Sequence, residues 1–156
     1  MTFVLEVRGL SERHARFLMT FLLYLLFLYR IATNQRGTGL KNLVGIDEGA
    51  WAAPPGYNDN IGQPPLASIL SMARETGIGI LFANQSLHVN ENIFVNSRLK
   101  MVMRLGSGND IDRARKMMAL SKEQADYIPK LDVGQAIIRI PKVDPFLIRT
   151  PRIPLE

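Results

Sequence analysis

The sequence predicts an α/β fold, with a mainly parallel sheet, helices on both of its faces and a β-hairpin at the C-terminal end. Three observations carry that expectation. Apolar runs alternate with helical segments across residues 3–118, the pattern of strands joined by crossover helices. The short run at residues 42–47 (NLVGID) stops at acidic side chains, as a buried parallel strand does. Residues 135–140 and 145–150 flank the turn 141–144 and read as a hairpin whose prolines favour an edge.

Taken in order, residues 3–7 (FVLEV) are the first expected strand, ending in the turn Arg8-Gly9-Leu10. Ser11 suits the N-cap of a helix running to about Ala32. Its central part, residues 17–29 (FLMTFLLYLLFLY), holds a single Thr and is bounded by Arg16 and Arg30. As a helix it spans about 20 Å, short of a bilayer core of about 30 Å. No run of small residues follows it as in a signal peptide. Burial on most faces is therefore expected, not membrane insertion. Residues 34–41 form a loop and residues 42–47 the next strand. Residues 49–65 contain three Gly, four Pro and three Asn or Asp without periodicity, the composition of a long surface loop. Pro64 and Pro65 open a helix over residues 66–76, which Gly77 stops. Residues 78–83 are a strand, and residues 100–105 (KMVMRL) are a third core strand after a polar loop. Asn109 is expected to cap a helix to about Met118, and Ser121 with Gln124 forms a capping box for a shorter one. The whole chain, residues 1–156, reads as one domain, with the hairpin occupying residues 133–151.

Composition excludes several chemistries. The 156 residues include no Cys, so no disulfide scaffold, thiolate metal site or cysteine nucleophile is available. His14 and His88 are far apart in sequence, which disfavours a histidine-rich metal site. Hydrophobic residues make up 47% and charged residues 21%, values of a folded chain. The net charge of +5 is uneven: residues 1–46 carry six basic and two acidic side chains, residues 47–97 one and five, and residues 98–156 twelve and seven. A basic final third suits a nucleic acid partner, and equally a solvated basic surface. No GxxxxGK[ST] phosphate loop occurs in the sequence.

Functional candidates cluster at expected strand ends, where ligands bind in open α/β sheets. Asp47 and Glu48 are adjacent carboxylates at the tip of an apolar strand. Nucleoside triphosphate hydrolysis uses such a pair, one carboxylate orienting hydrated Mg²⁺ and the other the attacking water. The same pair also arises wherever a strand re-enters water. Gln85, just past the next strand, has an amide able to bond both a γ-phosphate oxygen and water, or simply to cap a turn. Arg74 stands in the last turn of the expected helix, where it can reach a transferring phosphoryl group or merely complement the helix dipole. Arg98 and Arg104 are further candidates. Strand alternation sets Arg104 on the face of Val102, so an anionic partner or the sheet edge is expected for it.

In order and spacing these segments resemble the C-terminal half of a P-loop ATPase core of the HerA/FtsK group. That group includes DNA-pumping motors, HerA-like helicases, conjugation coupling proteins and type IV secretion ATPases. LVGIDEGA resembles the Walker B strand, the helix ending ARETGIG the segment carrying an arginine finger, and FANQS the sensor strand. VNSRLKMVMRLGSGNDIDRARKMM is similar to the following strand–helix unit, and LDVGQAIIRIPKVDPFLIRTP to the closing hairpin. FVLEVRGLSERHARFLMTFLLYLLFLYR resembles the strand and apolar helix that precede Walker B, so nearly the whole chain is covered. The resemblance implies part of a RecA-like core, with Asp47 meeting Mg²⁺ through water and Glu48, Gln85, Arg74, Arg104 and Arg98 as catalytic candidates. It also implies ATP and Mg²⁺ as cofactors, DNA as partner, a hexameric ring and a cytoplasmic setting.

Two departures qualify it. Gly49, Ala50 and Trp51 follow the acidic pair where the group has DEAH or DEA-type text, and the Walker A loop expected upstream of Phe3 is absent. This chain by itself is thus expected to be inactive and to represent the back half of a larger core. The alternatives are a non-catalytic interaction or DNA-binding domain that keeps the fold, part of a conjugation or secretion ATPase, or a membrane-associated protein using residues 17–29.

Overall fold

In the computed structural model, residues 2–7, 9–34, 39–52, 69 and 74–151 are described. The chain forms two compact units: Met1–Gln85 with Val89–Ile93, and Ser86–His88 with Phe94–Glu156.

In the first unit, Ser11 Oγ accepts from the backbone N–H of His14 and starts α1, Glu12–Ala32, satisfying one of the otherwise orphaned donors of a helix start. Strands β1, Asn42–Ile46, and β2, Ile78–Phe82, pair in parallel from Asn42↔Ile78 to Ile46↔Phe82. Alternation puts Val44, Ile46, Ile80 and Phe82 on one face, where they pack with Met19 and Leu23 of α1 and with Trp51, Ala52, Ile69 and Ile93. The other face shows Leu43, 64% exposed, and Leu81, 56% exposed. Helical cover over one face only, among the described residues, replaces the expected cover over both. Of the expected helix at residues 66–76 the described part is Ile69, which is buried, and a 3-10 turn, Arg74–Thr76. Gly77 closes that turn with φ +71°. The expected loop at residues 49–65 lies outside the described residues beyond Ala52.

Two expectations for this unit fail. Residues 3–7 are not a strand, and Phe3, Val4 and Leu5 are exposed; no strand among the described residues lies beside them to supply a ladder. The turn after them does form, with Leu10 N–H donating to Val7 O at 3.1 Å. Helix α1 is not buried on most faces. Its buried stripe is Ala15, Met19, Leu23 and Arg30, whereas Phe17 is 69% exposed and Phe21, Tyr24, Leu25 and Leu28 are exposed too. A two-stranded sheet is too narrow to cover more than one side of a 21-residue helix. Length and hydropathy would also allow α1 to cross a membrane.

The second unit is built on β3, Lys100–Val102, β4, Gln135–Arg139, and β5, Phe146–Arg149. They form an antiparallel sheet in the order β3-β4-β5. The hairpin is as expected, but β3 pairs with it and not with the parallel strands. Val102 is buried whereas Met101 and Met103 are exposed. A strand covered on one face suits an antiparallel sheet, and the hairpin supplies its neighbour. Because β3 ends at Val102, Arg104 lies beyond the strand and is exposed; the expectation of an anionic partner or the sheet edge assumed a strand that reached it. Thr150 N–H donates to Gly134 O at 2.7 Å. Antiparallel alternation then points the backbone groups of Phe146 and Ile148 at β4 and those of Leu147 and Arg149 away from it, with Pro145 and Pro151 in the same outward phase.

Helix α2, Glu91–Asn96, stands where a polar loop was expected. Helix α3, Gly108–Met118, is capped by Ser107 and not by Asn109, with Ser107 Oγ accepting from Asp110 N–H. Helix α4, Lys122–Tyr127, begins with the expected capping box. The Gln124 carbonyl closes the box on Ser121 N–H while its amide donates to Pro145 O at 3.1 Å, tying α4 to the hairpin. Ala114 and Met118 of α3 pack with Leu120, Ile128, Leu131, Val102 and Ile137 to form the core. Helix α3 ends on Ala119 at φ +51°, a left-handed conformation that costs a non-glycine residue about 1–2 kcal/mol. Ala119→Gly is expected to stabilise this unit by about 0.5–1 kcal/mol after the added chain entropy is counted. Thermal melting checks it, as a rise of several degrees.

Candidate functional site

Parallel pairing of β1 with β2 brings the two strand tips side by side, and their loops are stitched together by backbone hydrogen bonds. Ala83 N–H donates to Ile46 O at 2.9 Å and Gly49 N–H to Ala83 O at 3.1 Å. A tight turn follows β1, with Trp51 N–H donating to Glu48 O and Ala52 N–H to Gly49 O. Glu48 sits in it at φ +50°, a conformation rare for a residue with a long side chain. Asp47 Oδ1 accepts from Glu48 N–H at 3.0 Å, and the Trp51 indole donates to Asp47 O at 3.3 Å. From α1, Arg16 Nε donates to Trp51 O at 2.9 Å, strapping the turn to the helix.

Both carboxylates are exposed. Gln85 Nε2 donates to Glu48 Oε1 at 3.2 Å, joining two of the sequence-predicted candidates across 37 positions. Next to Gln85, Asn84 Oδ1 is buried with no hydrogen-bond partner among the described residues. Space here is tight, since a Cβ on Gly49 would lie 2.6 Å from Phe82 Cδ1 and 3.5 Å from Asn84 Oδ1. Gly49→Ala should therefore destabilise the first unit by about 1–3 kcal/mol through overpacking. The readout is a lower melting temperature followed by the fluorescence of Trp51, the only tryptophan.

The arginines are not joined to this pair by any described contact. Arg74 begins the 3-10 turn before β2, and its side chain lies outside the described residues. The neighbouring Thr76 carbonyl accepts from the buried Arg30 Nε at 3.0 Å. Arg98 and Arg104 belong to the second unit, one on each side of β3, and both are exposed. Sequence reasoning missed the Arg16 strap and the orphaned Asn84 oxygen. Among the described residues no group of three or more His, Asp or Glu is placed to hold a metal by itself.

No family model and no curated protein sequence matches the chain. Solved structures do resemble it. The genome-packaging NTPase B204 of Sulfolobus turreted icosahedral virus 2, in complex with AMPPCP, gives a TM-score of 0.64 at 15% identity over 85% of this chain and 62% of that one. B204, the DNA-packaging ATPase from Sulfolobus turreted icosahedral virus, gives 0.60 at 17% over 80% and 58%. VirB4 of Thermoanaerobacter pseudethanolicus gives 0.61 at 13% over 95% and 40%. At these identities the likeness is one of fold: the chain shares part of the architecture of these proteins. It spans less than two thirds of each of these proteins.

Proposed function

We propose that this chain is the C-terminal portion of an ATP-driven nucleic acid translocase of the HerA/FtsK type. The observation that supports this best is the hydrogen bond from the Gln85 amide to the Glu48 carboxylate at adjacent parallel strand tips, within a fold shared with part of the packaging ATPases. In this reading Asp47 would hold hydrated Mg²⁺, Glu48 would accept a proton from the attacking water, and Gln85 would align that water with the Glu48 carboxylate. The donor set fits that ion. Mg²⁺ keeps several waters and takes hard oxygens from one or two carboxylates plus phosphate; the two exposed carboxylates supply such atoms. When bound, Mg²⁺ neutralises charge on the transferring phosphoryl group.

A nucleotide needs more than this chain carries. Backbone N–H groups and the Lys of a phosphate loop hold the β- and γ-phosphates, and no such motif occurs in the sequence. Arg74, Arg98 and Arg104 are the candidates to reach a nucleotide bound by a neighbouring copy in a ring of six, in the cytoplasm. The likeness to VirB4, which extends over 95% of this chain, favours a secretion or conjugation ATPase as the second reading. ATP hydrolysis tests the proposal. The chain alone should turn over no ATP above background, and joining it to a strand–phosphate-loop–helix segment should give Mg²⁺-dependent turnover. A folded fusion that stays as inactive as the chain alone overturns it.

A further inference from the structure

The second unit carries charge that its own fold leaves unbalanced. Residues 98–156 hold twelve Lys and Arg against seven Asp and Glu, and the sheet sets two of these cations face to face. The β3–β4 register places Lys100 directly opposite Arg139. Residues so placed have Cβ atoms about 4.5–5.5 Å apart, and like charges at that spacing destabilise a sheet. Both side chains are half-buried. Lys100 Nζ donates to Ser97 O at 2.7 Å, which leaves two of its three protons for other acceptors. Neither cation has an acidic side chain within ion-pair distance among the described residues. Burial, and then the Arg139 guanidinium, hold the Lys100 ammonium below its ordinary pKa. Exposed Arg98 stands two residues before Lys100, and exposed Lys142 three residues after Arg139.

We propose that Lys100 and Arg139 form a phosphate-binding site at the β3–β4 margin of the second unit. A phosphate group brings several acceptor oxygens. Two of them match the flat fork of a guanidinium, and a third suits an ammonium. Its negative charge turns the repulsion between the two cations into shared attraction. The ligand is a phosphate group borne on a free polyphosphate chain or on a nucleic acid backbone. This site does not rest on the roles of Asp47 and Glu48, and its test involves no ATP hydrolysis, so either proposal can fail alone.

The experiment measures binding of tripolyphosphate by calorimetry and of a labelled oligodeoxythymidylate by fluorescence anisotropy, both to the whole chain at low salt. Lys100→Gln and Arg139→Gln are each expected to weaken binding about tenfold, the size of one charge-assisted hydrogen bond. For the oligonucleotide, each should reduce the slope of log K against log salt by about 0.7. Arg139→Lys should keep most of that slope while losing affinity. Without ligand, Arg139→Gln should melt no lower than wild type, because one of two repelling charges is gone; this separates a lost contact from a lost fold. Tighter binding of tripolyphosphate assigns the site to a free phosphate chain, and tighter binding of the oligonucleotide to a nucleic acid backbone. Failure of wild type to bind either probe, or unchanged binding by both glutamine variants, overturns the proposal.

Discussion

Glu48→Gln is expected to lower ATP hydrolysis by about 10²- to 10⁴-fold once the chain works beside a phosphate loop, the range for loss of a positioned general base. That corresponds to about 3–5 kcal/mol of transition-state stabilisation. Glutamine is the informative substitution because it changes little else. Its amide oxygen can still accept from Gln85 Nε2, and the left-handed turn position is filled by a side chain of the same length. Nucleotide affinity should stay near wild type while turnover falls, since the lost interaction belongs to the reacting water. Gln85→Ala should have a smaller effect, as it removes an aligning group and leaves the base. Turnover that survives Glu48→Gln undiminished would remove that residue from the chemistry.

The largest loss of stability is expected from Ile128→Ala. Ile128 is 0% exposed and Leu131, in the same cluster, 1%; both pack with Val102, Ala114, Met118 and Ile137. Truncating a side chain in such a site removes its transfer free energy and leaves a cavity, together about 2–5 kcal/mol. Whole domains are stable by only about 5–15 kcal/mol, so a fall of ten degrees or more in melting temperature is the expected scale. Circular dichroism gives the readout. Phe17→Ala is the internal contrast: it removes a larger side chain from the exposed side of α1 and should change stability by no more than about 0.5 kcal/mol. Equal losses at the two positions would contradict the burial pattern.

How much of this was legible in the sequence depends on how local each cause is. The Ser121–Gln124 capping box, the start of α1 at Ser11 and the stop at Gly77 are set within a few residues, and all form as expected. Strands β1 and β2 were readable because an unbroken apolar run ending in polar residues has few other uses. The partner of β3 was not readable, since a run as short as KMV fits either sheet until the position of the hairpin is known. Ser107 and Asn109 are both good caps, and two residues of offset is below what propensity resolves. Helix α2 has one buried residue, Ile93, and so no period to detect. At the site, the nearness of Glu48 to Gln85 followed from both lying just past parallel strands. The Arg16–Trp51 strap spans 35 positions through a backbone carbonyl, a contact that leaves no residue pattern. The opposition of Lys100 and Arg139 exists only through register.

The outward phase of Pro145 and Pro151 has a consequence for self-association. Among the described residues no strand pairs with the outer side of β5, where another chain's strand could dock and begin stacking into fibrils. A proline in that phase offers no N–H to an incoming strand and crowds its approach. With Pro145 before the strand and Pro151 after it, only Leu147 and Arg149 present complete pairs of backbone groups, and the second of these adds a cation to the rim. Two residues are too few to nucleate a sheet. The hairpin thus keeps an apolar, strand-forming sequence at the surface while denying it the length that aggregation requires.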